Sequence, residues 1–240
     1  MSIRQSGQAK IDRIGLMIPS ANIAMEVEFY KYLPSNITIH ASRMKLKSIT
    51  EESLIEMEKE IDRCINLLMD CNVDILVFGC TSGSLIKGKE YDKFIKNKIE
   101  NISGKPAVVT AGCVVEALNT LGLKKISVFT PYSNEVNIKV EYFLKSYGFE
   151  VINLKGLNIT KRGKSGKIEP EFIHQEARKL KEGDGLFISC TGLRTFNILK
   201  ILEDELGKPV VSSNQATLWV TLRQLGCMKN IKELGRLFSK

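Results

Sequence analysis

The sequence predicts an α/β protein made of two similar halves, each with a four-stranded parallel sheet covered by helices. Two observations predict this class. First, short apolar runs alternate with longer amphipathic stretches along the 240 residues, a pattern typical of parallel sheets with helices on both faces. Second, the later half repeats the pattern of the earlier one. We therefore expect a pseudo-two-fold axis, with a cleft between the two halves.

Eight strands are predicted from short apolar runs that turn residues bound. In chain order they are Arg13–Pro19, Ile37–Met44, Val73–Gly79, Pro106–Thr110, Lys125–Thr130, Glu150–Leu154, Gly185–Ser189 and Pro209–Ser212. Seven helices are predicted from apolar residues at helical spacing, several of them after an Asn, Ser or Thr cap. They are Glu51–Asp70, Glu90–Asn101, Val114–Leu121, Asn134–Tyr147, Pro170–Lys181, Thr195–Leu206 and Gln215–Leu225.

An internal repeat relates the two halves. When Ile14 is aligned with Ile126, an offset of 112 residues, the segment Pro19–Leu33 falls on Pro131–Lys145, Asn22 falls on Asn134, and the V-E-F and V-E-Y triplets lie within one residue of each other. Each half also ends with a short strand after a Lys-Pro pair. We expect a first lobe of residues 1–116 plus 214–240 and a second lobe of residues 117–213.

Composition and charge exclude several classes of protein. The chain is 43% apolar, and 35 Lys and Arg against 27 Asp and Glu give a net charge of +8, which fits nucleic acid, a membrane surface or small anions as partners. The sequence contains no run of about 18 apolar residues, the length that a membrane-spanning helix requires, so we expect no membrane span. Basic residues are not interleaved with aromatic ones, so we expect no nucleic-acid partner. The polar residues 1–10 are expected to form a short flexible tail on a cytoplasmic protein.

Two of the six cysteines occupy equivalent positions of the repeat. Cys80 and Cys190, 110 residues apart, each follow a predicted strand and precede hydroxyl and glycine residues that lead into a predicted helix. A lone cysteine is more often a small buried hydrophobe, but the matched pair favours a function. Because a helix N-terminus stabilises negative charge, we expect lowered thiol pKa values and an anion-binding site.

The other cysteines are interpreted as packing or structural residues: Cys64, Cys71, Cys113 and Cys227. With no C-x-x-C pair and two histidines, we expect no metal site.

These motifs resemble the aspartate/glutamate racemase superfamily, and within it the branch of maleate cis–trans isomerases and arylmalonate decarboxylases. The similarity covers nearly the whole chain, and its most specific parts are P-S-x-N-x-x-M-E from Pro19, G-C-T-S-G-S from Gly79, T-P-Y from Thr130, C-T-x-L-x-T from Cys190 and K-P-V-V-S-S-N-Q from Lys208. The resemblance implies two flavodoxin-like half-domains, an active site in the cleft between them and no cofactor.

The resemblance also implies roles for individual residues. Cys80 would add to the alkene of a maleate-like substrate, while Cys190 would be the opposing acid/base thiol. Addition converts the double bond into a rotatable single bond, and donors stabilise the charge that develops on the neighbouring carboxylate. The expected substrate-binding residues are Ser20, Asn22, Thr81, Ser82, Tyr132 and Thr191.

Other functions stay open. A racemase of the amino-acid or hydantoin type would use the two thiols as acid and base on opposite faces of a carbon. The arylmalonate decarboxylases share Thr81, Ser82, Tyr132 and Cys190 but have glycine at the position of Cys80. A two-lobed module that only binds a carboxylate is the non-enzymatic alternative. The expected partner is a small anionic carboxylate, and a homo-oligomer (dimer or tetramer) is expected.

One basic segment departs from the isomerase pattern. Residues 155–167 contain Lys155, Lys161, Arg162, Lys164 and Lys167 without an acidic residue, where the isomerases are expected to offer an asparagine for a substrate carboxylate. The segment is either a solvated loop or a lid that draws anionic substrates into the cleft.

Overall fold

Two parallel sheets of the same strand order form the centre of the protein. The computed structural model describes residues 10–240, so all of the predicted N-terminal tail except Lys10 lies outside the described residues. The first sheet has the order β2-β1-β3-β4 and the second the order β6-β5-β7-β8. The predicted fold class, with two pseudo-symmetric halves, is confirmed.

The strands lie close to their predicted positions because each is a short, buried apolar run. In the first sheet they are β1 (Asp12–Pro19), β2 (Ile37–Met44), β3 (Ile75–Phe78) and β4 (Ala107–Val109), and in the second β5 (Lys125–Thr130), β6 (Glu150–Gly156), β7 (Gly185–Ile188) and β8 (Val210–Ser212). All neighbouring strands are parallel, and β1 pairs Ile14 with Ile39 and with Ile75. The carboxyl ends of each sheet therefore lie along one edge, where ligands bind in open parallel sheets.

In the described part of the chain, ten α-helices connect and cover the strands. They are α1 (Met25–Tyr32), α2 (Glu51–Met57), α3 (Ile61–Met69), α4 (Thr81–Leu85), α5 (Tyr91–Ser103), α6 (Thr110–Thr120), α7 (Asn134–Ser146), α8 (Pro170–Ala177), α9 (Phe196–Leu206) and α10 (Ser213–Gln224). Short 3-10 segments lie at Glu58–Glu60, Ser165–Lys167, Lys232–Leu234 and Arg236–Ser239. Nothing in residues 10–240 forms a helix that is long and apolar enough to cross a membrane.

Two helices were not predicted, and one predicted helix is divided. The helices α1 and α4 have only eight and five residues, too few to give a clear periodic signal. The predicted helix Glu51–Asp70 is interrupted by a 3-10 turn at Glu58–Glu60. This turn directs the Glu58 carboxylate to Lys87 (2.8 Å) and to the Tyr91 hydroxyl.

The C-terminal part of the chain contacts both halves. Helix α10 packs against α6, while the 3-10 segment Lys232–Leu234 packs against α9. Leu234, Leu237 and Phe238 are fully buried, so this basic terminal segment joins the core through its apolar side chains. The division of the chain into two lobes by residue number stays a prediction.

Candidate active site

A narrow cleft, partly open to solvent and with about 40 Å³ accessible to the centre of a water-sized group, lies where the carboxyl ends of the two sheets meet. Most of the predicted site residues line the cleft: Asn22, Cys80, Thr81, Ser82, Tyr132, Cys190 and Thr191. Ser20 is not brought together with them, because its hydroxyl accepts the N–H of Leu46 at 3.2 Å beside the cleft.

Cys80 is a buried thiol at the start of α4. Its Sγ caps the helix by accepting the N–H of Gly83 at 3.3 Å. Burial nevertheless raises the pKa of the thiol to about 12, although the Gly83 N–H lowers it. The expectation of a lowered pKa is therefore wrong for Cys80 in this cleft. The desolvation of a buried thiolate outweighs one helix of five residues.

Cys190 mirrors Cys80 but has a strained backbone. Its φ of +124° lies in the region that side chains rarely adopt, and such strain is concentrated at functional sites. Cys190 Sγ accepts the N–H of Gly192 at 3.3 Å, yet a turn and not a helix follows, since α9 begins only at Phe196. Burial raises the pKa of this thiol as well, so the prediction of a helix-lowered pKa is also wrong here.

Tyr132, one of the predicted substrate-binding residues, lies beside the two thiols. It is fully buried, and burial, followed by the neighbouring Cys190 and Cys80, raises its pKa well above the usual range. The phenol therefore keeps its proton at neutral pH. It is a neutral hydrogen-bond donor beside Cys190, which is the state that binding a carboxylate requires.

Buried hydrogen bonds join the two halves beneath the cleft. Asn22 donates from its amide to Thr191 Oγ1 at 3.0 Å, and Thr191 Oγ1 donates to the carbonyl of Gly79 at 3.0 Å. Thr81 Oγ1 donates to Ser213 Oγ at 2.8 Å, and Ser213 Oγ also accepts the N–H of Cys190 at 3.0 Å. These bonds fix the two cysteine loops relative to each other, as a preorganised site requires.

A basic loop covers the cleft. We define the covering loop as residues 157–167, which follow β6. Its base is held by Asn158 N–H on the Tyr132 carbonyl at 3.0 Å, and farther along its Thr160 carbonyl accepts the N–H of Ile49 of the first half at 3.0 Å. Arg162, Gly163 and Ser165 line the cleft. The covering loop thus bridges both halves, which favours the lid interpretation over that of a freely solvated loop.

Sequence reasoning missed the roles of Ser213 and Arg162. Ser212, which ends β8, caps α10 through a capping box with Gln215. Its neighbour Ser213 instead links Thr81 to Cys190. The signal for Ser213 is its place directly after the capping Ser212 at a strand end, since neighbouring side chains there point in different directions. No local signal distinguished Arg162 from the other cations of its loop.

The remaining cysteines differ in environment. Cys64 and Cys113 are buried, as expected of packing residues, and Cys227 is partly buried. The packing interpretation is wrong for Cys71, which is exposed at the end of α3. Within the part of the chain that the structure describes, no three His, Cys, Asp or Glu side chains are grouped to hold a metal ion.

Comparisons with known proteins agree with this architecture. The family model described as arylmalonate decarboxylase matches residues 14–238. The chain is 28% identical to a maleate isomerase of Geobacillus stearothermophilus over 96% of this chain and 98% of that protein. It is 25% identical to an arylmalonate decarboxylase of Bordetella bronchiseptica over 97% of this chain and 99% of that protein.

Solved structures give the same result. A maleate isomerase of Pseudomonas putida S16 with maleate superposes with a TM-score of 0.91 at 26% identity, covering 96% of this chain and 98% of that one. A cysteine-to-serine variant of the Nocardia farcinica maleate cis–trans isomerase, which carries a covalently bound succinylcysteine intermediate, superposes with a TM-score of 0.90 at 25% identity, covering 95% and 98%.

Proposed function

The chain belongs to the arylmalonate decarboxylase family, and from this membership we propose that it is a cofactor-independent cis–trans isomerase of maleate or a related small unsaturated dicarboxylate. The observation that carries the proposal is the pair of thiols, Cys80 and Cys190, at equivalent strand ends of one cleft. The maleate isomerases that this chain matches over nearly its whole length support the choice of reaction. Pure binding of a carboxylate requires only hydroxyl and N–H donors.

The proposed reaction begins with Cys80. Its thiolate forms a C–S bond to one alkene carbon, and the π electrons move to the other alkene carbon and onto its carboxylate. The former double bond is now a single bond and rotates. The electron pair then returns, the C–S bond breaks, and the trans isomer leaves with the Cys80 thiolate restored. The intermediate described for the Nocardia farcinica enzyme, a succinylcysteine, supports covalent addition here.

The neighbouring groups stabilise the charge that develops on the substrate. Ser82 and the neutral Tyr132 line the cleft with hydroxyl groups that can donate to the substrate, while Thr81 and Thr191 give their hydroxyl protons to Ser213 and to the Gly79 carbonyl and so position the two cysteine loops. Such preorganised donors contribute several kcal/mol when they meet charge that exists only during reaction. Cys190 is proposed as the acid/base thiol: it donates a proton to the carbon beside the carboxylate and removes it again before the C–S bond breaks.

Proton NMR in D2O tests the proposal. The purified protein is incubated without added cofactor with maleate, methylmaleate, aspartate, glutamate, a hydantoin and phenylmalonate. We expect conversion of a cis alkene to its trans isomer, and a loss of at least about 1000-fold in rate for Cys80→Ala. Deuterium beside the carboxylate of an unchanged amino acid or hydantoin would identify a racemase, and release of carbon dioxide would identify a decarboxylase. Binding without turnover of any compound would leave the carboxylate-binding module.

Location and assembly are also proposed. We propose a cytoplasmic protein, because the reaction requires reduced thiols and the six cysteines are free.

We propose a homo-oligomer because α1 and α7, which are equivalent in the repeat, expose the apolar side chains of Val27, Tyr30, Ile138 and Tyr142. Sedimentation velocity at micromolar concentration tests the assembly, and a monomer would contradict it.

A further inference from the structure

We propose that Arg162 binds the second carboxylate of the substrate and so makes the enzyme selective for dicarboxylates over monocarboxylates. This inference rests on the proposed function only in that the first carboxylate lies beside the thiols. Among the described residues that line the cleft, Arg162 is the only one of the charged types (Lys, Arg, His, Asp or Glu). A dianion in this cleft therefore meets one cationic side chain, that of Arg162, which is exposed to solvent.

The guanidinium of Arg162 is available for a ligand. Within residues 10–240 its one hydrogen bond is to the Leu46 carbonyl at 3.4 Å, long for an N–H···O bond. No carboxylate of residues 10–240 forms an ion pair with it, in contrast to two nearby cations of the second half. Lys155 is paired with Glu176, and Arg194 is paired with Glu169 at 2.9 Å. An unpaired guanidinium beside an anion-binding cleft has its planar pair of donors free for a carboxylate.

The backbone around Arg162 is positioned and not left to vary freely. Thr160 is bonded to Ile49 at 3.0 Å. On the other side of Arg162, a Cβ at Gly166 would lie 2.7 Å from the Ile23 side chain, and a Cβ at Gly192 would lie 2.6 Å from Ser165 Oγ. The covering loop is therefore packed closely against both halves on either side of Arg162. This packing limits the ordering cost when the side chain closes on a ligand.

The other donors of the cleft cannot supply the second charge. Asn22, Thr81, Ser82, Thr191 and Tyr132 are neutral, and the cleft wall that contacts Arg162's loop includes the apolar Leu46 and Ile49. Neutral donors bind one carboxylate well, but a second carboxylate against an apolar wall loses its water without compensation. Arg162 compensates that loss.

The test compares substrates that differ by one charge. Maleate and its monoamide, maleamate, have nearly the same shape, so their ratio of kcat/KM measures recognition of the second charge. We expect Arg162→Gln to lower kcat/KM for maleate by about 10- to 100-fold, mainly through KM, and for maleamate by less than about 3-fold. Arg162→Lys keeps the positive charge and should retain part of the preference for maleate over maleamate that Arg162→Gln loses. Lys164→Gln removes the same charge from an exposed, non-lining position of the loop and should leave the ratio unchanged. An equal loss on both substrates, or no loss, would overturn the inference.

A binding measurement separates this inference from the proposed function. Succinate and succinamate are saturated and cannot isomerise, and calorimetry gives their dissociation constants for the wild-type protein and for Arg162→Gln. If the wild-type protein does not isomerise maleate, the proposed function fails, while a preference for succinate that disappears in Arg162→Gln still supports the role of Arg162. An equal affinity of the wild-type protein for the two compounds would refute it.

Discussion

At the scale of single residues, the most important property of the site is that its thiols are protonated. Burial raises the pKa of Cys80 to about 12, and Tyr132 and Cys190 shift in the same direction. The sequence located both cysteines, since strand ends and a repeat are local patterns. It could not give their protonation state, because desolvation depends on what the other half places over them.

The pH dependence of the reaction follows from the raised pKa of Cys80. The thiolate is the reactive form, and its fraction in the free enzyme rises tenfold for each pH unit below the pKa. We expect kcat/KM for maleate to rise by about tenfold per unit from about pH 7 to about pH 10, without a plateau. Stopped assays of the trans product across this range provide the measurement. A plateau that begins near neutral pH would show that Cys80 ionises readily in the free enzyme.

At the scale of elements, Glu28 of α1 connects the start of α9 to α10. Its buried carboxylate accepts the N–H groups of Thr195 and Phe196, at 2.5 and 2.7 Å, and the amide of Asn214 at 2.6 Å. A carboxylate at a helix N-terminus is stabilising. Burial still dominates and raises the pKa of Glu28 to about 7. The V-E-F triplet indicated a repeat position but not this contact, which joins residues more than 160 positions apart.

The raised pKa of Glu28 makes stability dependent on pH. Between about pH 4.5 and 7 the folded protein binds more protons at Glu28 than the unfolded chain, so the free energy of unfolding falls as pH rises. The total change from this group is about 3 kcal/mol. Glu28→Gln cannot titrate, so we expect its urea unfolding free energy to change less with pH over this window than that of the wild-type protein.

The repeat provides a matched control. Glu141 occupies the equivalent triplet position but lies on the surface beside Lys145, at 2.7 Å. Glu141→Gln should therefore retain the wild-type dependence on pH. If Glu28→Gln and the wild-type protein show the same slope, the burial of Glu28 does not control the pH dependence of stability.

At the scale of the whole molecule, the two halves are joined through the site itself. Thr191 of the second half accepts from Asn22 and donates to the Gly79 carbonyl of the first half, and Thr81 is bonded to Ser213. These side chains are buried, so separating the halves would leave several polar groups unpaired or rehydrated. The geometry of the cleft and the stability of the molecule therefore depend on the same contacts.

We expect the halves to unfold together. Calorimetry should show one transition with equal calorimetric and van't Hoff enthalpies. Thr191→Val keeps the side-chain shape, removes both hydrogen bonds and should cost about 1 to 3 kcal/mol, a decrease in Tm of several degrees. Lys139→Gln removes a half-exposed ion pair with Glu51 across the same halves, at 2.9 Å, and should cost less than about 1 kcal/mol. Two separate transitions in the wild-type protein would contradict the prediction.

The sequence by itself determined the alternation of strands and helices, the two equivalent halves and the positions of Cys80 and Cys190. These features depend on local apolar periodicity and on a repeat, which are visible without contacts. Only the tertiary structure decided that both thiols are neutral, that Ser213 joins the cysteine loops, that Ser20 bonds to Leu46 and that Arg162 reaches the cleft. Each of these depends on burial or on a partner distant in the chain, because desolvation and hydrogen bonding are set by the folded surroundings.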